Sequence, residues 1–186
     1  MPIISPCNSG FLQLALKKHS KGGLFMADEK PETGCCPRFN PEPWQDKTHK
    51  WEGKLFVKDS TPCLFHIPLG MNGVMMKSMA LINAAGAKNP ESIMLMDDTS
   101  LFSSDIYIAV DRNVPGAKMA EISGTMLSRV YEGPYQNAGK WAKDMVSYVK
   151  SQGKMLKKLY FSYTTCPACA KAYGKNYVVL FAKIGD

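Results

Sequence analysis

The chain has 186 residues, 45% of them apolar and 21% charged, and a formal net charge of +7. Those values exclude a disordered or fibrous protein and a pair of average-sized independent domains, and no apolar run approaches the roughly eighteen residues of a helical membrane span. The basic residues gather in "LKKHSKGG" and "KWAKDMVSYVKSQGKMLKKLYF", where they alternate with core-like residues. This pattern predicts a solvated helix face, so neither nucleic acid nor a membrane is an expected partner.

Residues 1–25 have no clear continuation into a strand or helix. Lys-Gly-Gly at 21–23 is what a purine-rich ribosome-binding sequence encodes in this frame, and Met26 follows closely. The expectation is a segment outside the folded domain, either disordered or preceding a native start at Met26. Residues 26–50, rich in Pro, Gly and charge, read as an irregular arm. Its Cys35, Cys36, Phe39 and Trp44 are costly to leave in water, so the arm should pack onto the domain that fills residues 51–186.

From Trp51 the pattern becomes periodic. "KLFVKD" alternates as a strand and "CLFHIPL" as another, with His66 expected to pack there. "VMMKSMALINAAG" repeats its apolar residues at helical spacing, and "SIMLMDD" and "DIYIAVDR" return to strands. The order strand, helix, strand, strand then recurs. "GTMLSRVYEG" is a strand and "PYQN" a turn, with Asn137 as candidate N-cap. "AGKWAKDMVSYVKSQG" is a helix buried through Trp141, Met145 and Tyr148 or Val149, and "KLYFSYTT" and "NYVVLFAKI" are strands. The fold class expected is α+β: duplicated βαββ modules, about 51–115 and 116–186, with an antiparallel sheet and two main helices around a central groove.

Six cysteines are present: 7, 35, 36, 63, 166 and 169. No basic n-region precedes "FLQLAL", which is itself too short for a signal, so a cytoplasmic protein with reduced thiols is expected. Cys166 and Cys169, in Cys-Pro-Ala-Cys, supply two sulfurs of a zinc site, and Cys35 and Cys36 are the natural partners for a Cys₄ set. Paired disulfides, a redox couple or unlinked thiols remain alternatives. A thioredoxin-type motif would need its first thiol at a helix N-terminus, whereas "AKAYGK" reads as a short turn. Cys63 reads as a small buried hydrophobe.

"GTMLSRVYEGPYQNAGKWAKDMVSYVKSQGK", with its Gly-Pro-Tyr turn and Trp-bearing helix, resembles the GyrI-like or AraC-type effector-binding superfamily, as does "SSDIYIAVDRNVPG". The resemblance covers roughly residues 51–184. "GCCPRFNPEPWQDKTHKWEGKLFVKD" with the Cys-Pro-Ala-Cys loop resembles a stand-alone branch of it. That implies two βαββ modules enclosing a cleft for organic molecules, often cationic or amphipathic; some members sense ligands for transcription and some stand-alone members hydrolyse reactive toxins. Two departures stand out: no DNA-binding domain, and no carboxylate in "YFSYTT", where many members carry a pocket glutamate.

Aromatic rings with hydroxyl tips suit a flat or cationic organic ligand. The ligand-binding candidates are Tyr107, Glu132, Tyr135, Trp141, Tyr160, Tyr163 and Met75, with Glu132 and Tyr135 also the acid/base candidates, although each ring and the Met stripe also fits plain core packing. The reading is a stand-alone protein that binds a small organic molecule. The alternatives are a hydrolase on the same scaffold and a zinc or thiol redox protein.

Overall fold

The computed structural model describes residues 31–64 and 67–185. The expectations for residues 1–25, for the Met26 start and for His66 fall outside them. After an irregular arm come β1 (Lys47–Leu64), β2 (Ile67–Pro68), α1 (Met71–Ala84), β3 (Met94–Ser100), β4 (Ser103–Ala109) and β5 (Met119–Glu132). A short 3₁₀ turn (Tyr135–Asn137) then leads into α2 (Ala138–Ser151), followed by β6 (Met155–Tyr163), α3 (Pro167–Tyr173) and β7 (Tyr177–Gly185).

All strand pairs are antiparallel, in the order β1–β4–β3–β6–β7–β5, and β5 pairs back onto β1. The sheet therefore closes into a six-stranded barrel. Closure removes the open groove that the sequence suggested, because the inward face of every strand now meets the others. The strands of the two runs pair in corresponding order, β1–β4–β3 and β5–β7–β6. The halves nevertheless do not match element by element, since β2 and α3 have no counterparts in the other run.

Alternation decides what each strand turns inward. In β1, Phe56 enters the barrel while Leu55 and Val57 face α1; a register shift between Trp51 and Lys54 lets Trp51 also face in. "KLFVKD" and the start of "CLFHIPL" are thus one continuous strand, not two. The interior holds Trp51, Phe56, Leu95, Tyr107, Met126, Tyr160 and Phe181, with Phe39 and Trp44 of the arm packed against them. Outside, α1 covers Val57, Met96, Ile106 and Ile108. On the other side, Trp141, Met145 and Val149, spaced four apart, bury one stripe of α2 against Leu127, Val178, Leu180 and Ala182. Asn137 holds the N-cap position of α2, as expected, but its side chain makes no capping bond. The preceding 3₁₀ turn supplies Asn137 N–H to the Pro134 carbonyl instead.

Interior rings touch in sequence. Phe181 lies 5.7 Å from Trp44, 5.9 Å from His49 and 5.5 Å from Trp51. Trp51 meets Phe56 at 5.9 Å, Phe56 meets Tyr107 at 6.3 Å, and Tyr107 meets Tyr160 at 6.1 Å, edge to face. Phe181, 1% exposed, is the ring on which most of the others converge. Replacing Phe181 with Ala should cost about 3–5 kcal/mol, read as a lower urea midpoint with an unchanged slope.

Candidate functional site

Two clusters of reactive side chains emerge from this frame, one where the arm meets the barrel and one at the barrel's mouth.

The first is built on a helix that the sequence did not announce. The segment after β6, expected to be a short turn, forms the two-turn α3, with Cys166 at its N-cap, Pro167 in its first turn and Gly174 in the left-handed conformation at its end. Cys166 therefore does sit at a helix N-terminus after a strand, which corrects the earlier ground for setting a redox motif aside. Cys169 follows on the buried face of α3. The arm brings Cys35 and Cys36 against this pair, and the sulfurs of all four lie within 4.8 Å of one another. Cys35 Sγ is 3.6 Å from Cys36 Sγ and 4.0 Å from Cys166 Sγ. The Cys166 backbone N–H donates to Cys36 Sγ at 3.4 Å.

Tyr173 of α3 secures the approach. Its hydroxyl donates to the Cys36 carbonyl at 2.6 Å, and Arg38 lies 4.6 Å over its ring. The Cys169 thiol donates to Thr33 Oγ1 at 3.1 Å. Burial lifts the Cys36 thiol to about 11. At Cys169 burial is outweighed by the Thr33 hydroxyl and by the backbone and thiol groups nearby, which bring it down to about 7. None of the described cysteines is in a disulfide, and sulfurs at these separations would have to close to about 2.05 Å to form one. Cys63 is buried, as expected, beside the Ser104 hydroxyl at 3.0 Å.

The second cluster is charged. Asp97 of β3 and Asp105 of β4 are direct cross-strand partners. Two like charges so placed repel. Each is neutralised by a lysine: Lys58 Nζ lies 2.6 Å from Asp105, and Lys158 Nζ lies 2.5 Å from Asp97. The Asp97 side chain is 9% exposed, and it is the Oδ2 of this buried carboxylate that Lys158 meets.

The two interior tyrosines complete the arrangement. Lys58 hangs 5.2 Å over the Tyr107 ring and Lys158 5.4 Å over the Tyr160 ring. The Tyr107 hydroxyl donates to Asp105 at 3.4 Å. The Asp105 hydrogen bond raises the Lys58 pKa; at Lys158 burial opposes the charge but the Asp97 carboxylate outweighs it, so both remain ammonium ions. Burial raises Tyr160, which stays a phenol. Beside Lys58 and Asp105 a cleft of about 280 Å³ opens between β1, α1 and the 116–118 loop.

Of the residues singled out from the sequence, Tyr107 and Tyr160 meet at this mouth. Tyr135 and Tyr163 meet elsewhere, at 5.4 Å, and the Tyr135 hydroxyl donates to the Thr165 carbonyl at 2.9 Å. Burial raises both phenols, Tyr163 to about 12. Trp141 stacks on Tyr131 beneath α2, and Met75 packs under α1. Glu132 is half exposed, with Lys175 at 3.9 Å.

Lys58, Asp97, Asp105 and Lys158 were not singled out. A signal for them existed: each lies two positions from an interior residue of its own strand, Phe56, Leu95, Tyr107 and Tyr160 respectively, and therefore on the same face.

No curated protein matches the chain. Among solved structures, the EcmrR C-terminal domain superposes with a TM-score of 0.58 at 12% identity, over 77% of this chain and 98% of that one. A hydrolase from Listeria innocua gives 0.54 at 10% identity, over 76% and 92%. A conserved protein from Listeria innocua gives 0.56 at 8% identity, over the same shares. These likenesses show a shared fold, the one that the resemblance to GyrI-like proteins led the sequence to expect. Residues 26–184 match the family model described as bacterial hydrolase, and the chain belongs to that family.

Proposed function

We propose that the protein binds a small organic molecule at the barrel mouth, in the cleft beside Lys58 and Asp105. The observation that carries this reading is the opposed pair Asp97 and Asp105 inside an aromatic interior. Buried ion pairs contribute little to stability compared with a well-packed apolar core. Two of them side by side, with the Lys58–Asp105 pair bordering the cleft of about 280 Å³, therefore have the character of a recognition surface. Among the described residues no helix is long and apolar enough to cross a membrane.

A screen of planar aromatic compounds of differing charge, read by thermal unfolding, tests it. A ligand at about 100 times its Kd should stabilise the fold by about 2.7 kcal/mol, a rise in Tm of several degrees. The rise should vanish in Asp105→Asn. A panel that stabilises neither protein overturns the reading.

The family's description favours a second reading, hydrolysis at the same mouth. There a carboxylate could take the proton of an attacking water, a lysine ammonium could steady the developing anion, and a tyrosine could protonate the leaving group. This assigns the acid/base work to the mouth in place of Glu132 and Tyr135, so turnover that survives Asp97→Asn and Asp105→Asn would remove it.

We further propose that Cys35, Cys36, Cys166 and Cys169 hold a zinc ion. Zinc–sulfur bonds of about 2.3 Å place tetrahedral sulfurs about 3.8 Å apart, and the two sulfur–sulfur distances of 3.6 and 4.0 Å bracket that value. A complete Cys₄ set leaves no position for substrate, so its role is to fasten the arm. Elemental analysis should find about one zinc per chain, lost in Cys169→Ser together with faster proteolysis of residues 31–46. Metal-free protein with four titratable thiols at these positions overturns it.

A further inference from the structure

The four clustered cysteines are not equally open to solvent. Cys169 is 1% exposed, Cys36 and Cys166 are half-buried, and Cys35 is exposed. Sulfurs that hold a metal are all thiolates, so access ranks them towards a small oxidant, and Cys35 is the one met first. Cys35 also has room to move. Gly34, just before it, takes a left-handed φ of 68° with no neighbour within 4 Å of where a Cβ would stand. Just after it, the Cys36 carbonyl is held by the Tyr173 hydroxyl at 2.6 Å.

Geometry also selects the sulfur to which an oxidised Cys35 can turn. Cys36 is near, at 3.6 Å, and no peptide bond among the described residues is cis. Neighbours across a trans peptide have Cα atoms about 3.8 Å apart, short of the roughly 4.4–6.8 Å that a disulfide prefers. Cys36 Sγ is besides occupied by the Cys166 N–H. Cys169, on the buried face of α3, is bonded to the Thr33 hydroxyl. Cys166 is left, half-buried, with its sulfur 4.0 Å from that of Cys35. A shift of about 2 Å by the arm at Gly34–Cys35 brings the two to bonding distance.

We infer that Cys35 and Cys166 form a peroxide-sensitive disulfide, with Cys35 the sulfur oxidised and Cys166 the one that resolves it. The Cys35 thiolate attacks one peroxide oxygen: an S–O bond forms, the O–O bond breaks, and hydroxide leaves. The Cys166 thiolate then attacks Cys35 Sγ, so that the S–S bond forms and the sulfenic oxygen departs as a second hydroxide. The two sulfurs lose the two electrons that the peroxide gains, and two protons from solvent convert both hydroxides to water. Cys36 and Cys169 then remain as the only thiolate ligands, too few for a structural zinc site. The arm stays attached, because a covalent bond to α3 replaces the shared metal. Release of metal rests on the zinc reading above; the disulfide itself depends only on where the sulfurs stand.

Treating the full chain, as purified, with one equivalent of hydrogen peroxide tests this. Zinc release is followed with a chromogenic chelator and disulfides are mapped by tandem mass spectrometry. Cys35–Cys166 should be the main linkage, zinc should be released in step with it, and dithiothreitol with added zinc should restore the starting form. Residues 31–46 should stay as resistant to protease as before, whereas chelation alone should speed their cleavage several-fold. In Cys166→Ser the Cys35 sulfenic acid should persist and be labelled by dimedone. Cys36→Ser should still form the linkage, and it carries the test if Cys166→Ser does not fold. A main linkage of Cys35–Cys36 or Cys166–Cys169 overturns the inference, as do four thiols that survive the peroxide. Oxidised protein whose arm is cleaved as fast as after chelation also overturns it. A chain that holds no zinc yet yields Cys35–Cys166 removes the zinc reading and upholds the disulfide; a chain that holds zinc without ever yielding that linkage does the reverse.

Discussion

The pairing of β1 with β5 is the constraint on which the other features depend. β1 is eighteen residues long, and it is hydrogen-bonded to β4 on one edge and β5 on the other, with a register shift that bends it at Trp51–Lys54. Without that second pairing the sheet would remain open and its aromatic face would need another cover. With it, the rings from Trp44 to Tyr160 pack against one another, and the charged residues of the same strand faces are left at the rim. The ring is thinnest between β3 and β6, joined by the single register pair Met96–Phe161. Asp97 and Tyr160 lie beside that seam, next to Met96 and Phe161 in their strands.

Much of the fold was legible in the sequence. The stripe Trp141, Met145, Val149 follows the helical period and was read correctly because burial on one face writes that period directly. The strands β3 to β7 stand close to where alternation put them. Closure was not legible, because it depends on pairing between residues some seventy positions apart in β1 and β5 and leaves no local pattern. Likewise α3 reads as a turn in the sequence: seven residues opened by Cys166-Pro167 and stopped by Gly174 are too short for a period to show.

At the sites the same division holds. The four cysteines were grouped by chemistry alone, since two thiols on a costly arm and two in a tight loop need each other, and the structure brings them together. The aromatic candidates were scattered more widely than one pocket allows, because hydroxyl-bearing rings serve cores as readily as ligands. Asp97 and Asp105 went unnoticed although alternation placed each on an inward face. An acidic residue in a strand reads as solvent-facing unless the strand is known to be curled into a barrel.

The cysteine cluster also has a bearing on the order of assembly. Cys35 and Cys166 stand 131 residues apart, and between them lie all the strands but β7. The arm leaves the ribosome early, yet the helix that receives it is among the last parts made. Through most of synthesis Phe39, Trp44 and a vicinal pair of thiols have no surface to dock on, and contacts that span so much of the chain form late and slowly. The fastening thus waits on the last tenth or so of the chain, and a chain cut short before α3 would lack both the helix that receives the arm's cysteines and the last strand of its barrel.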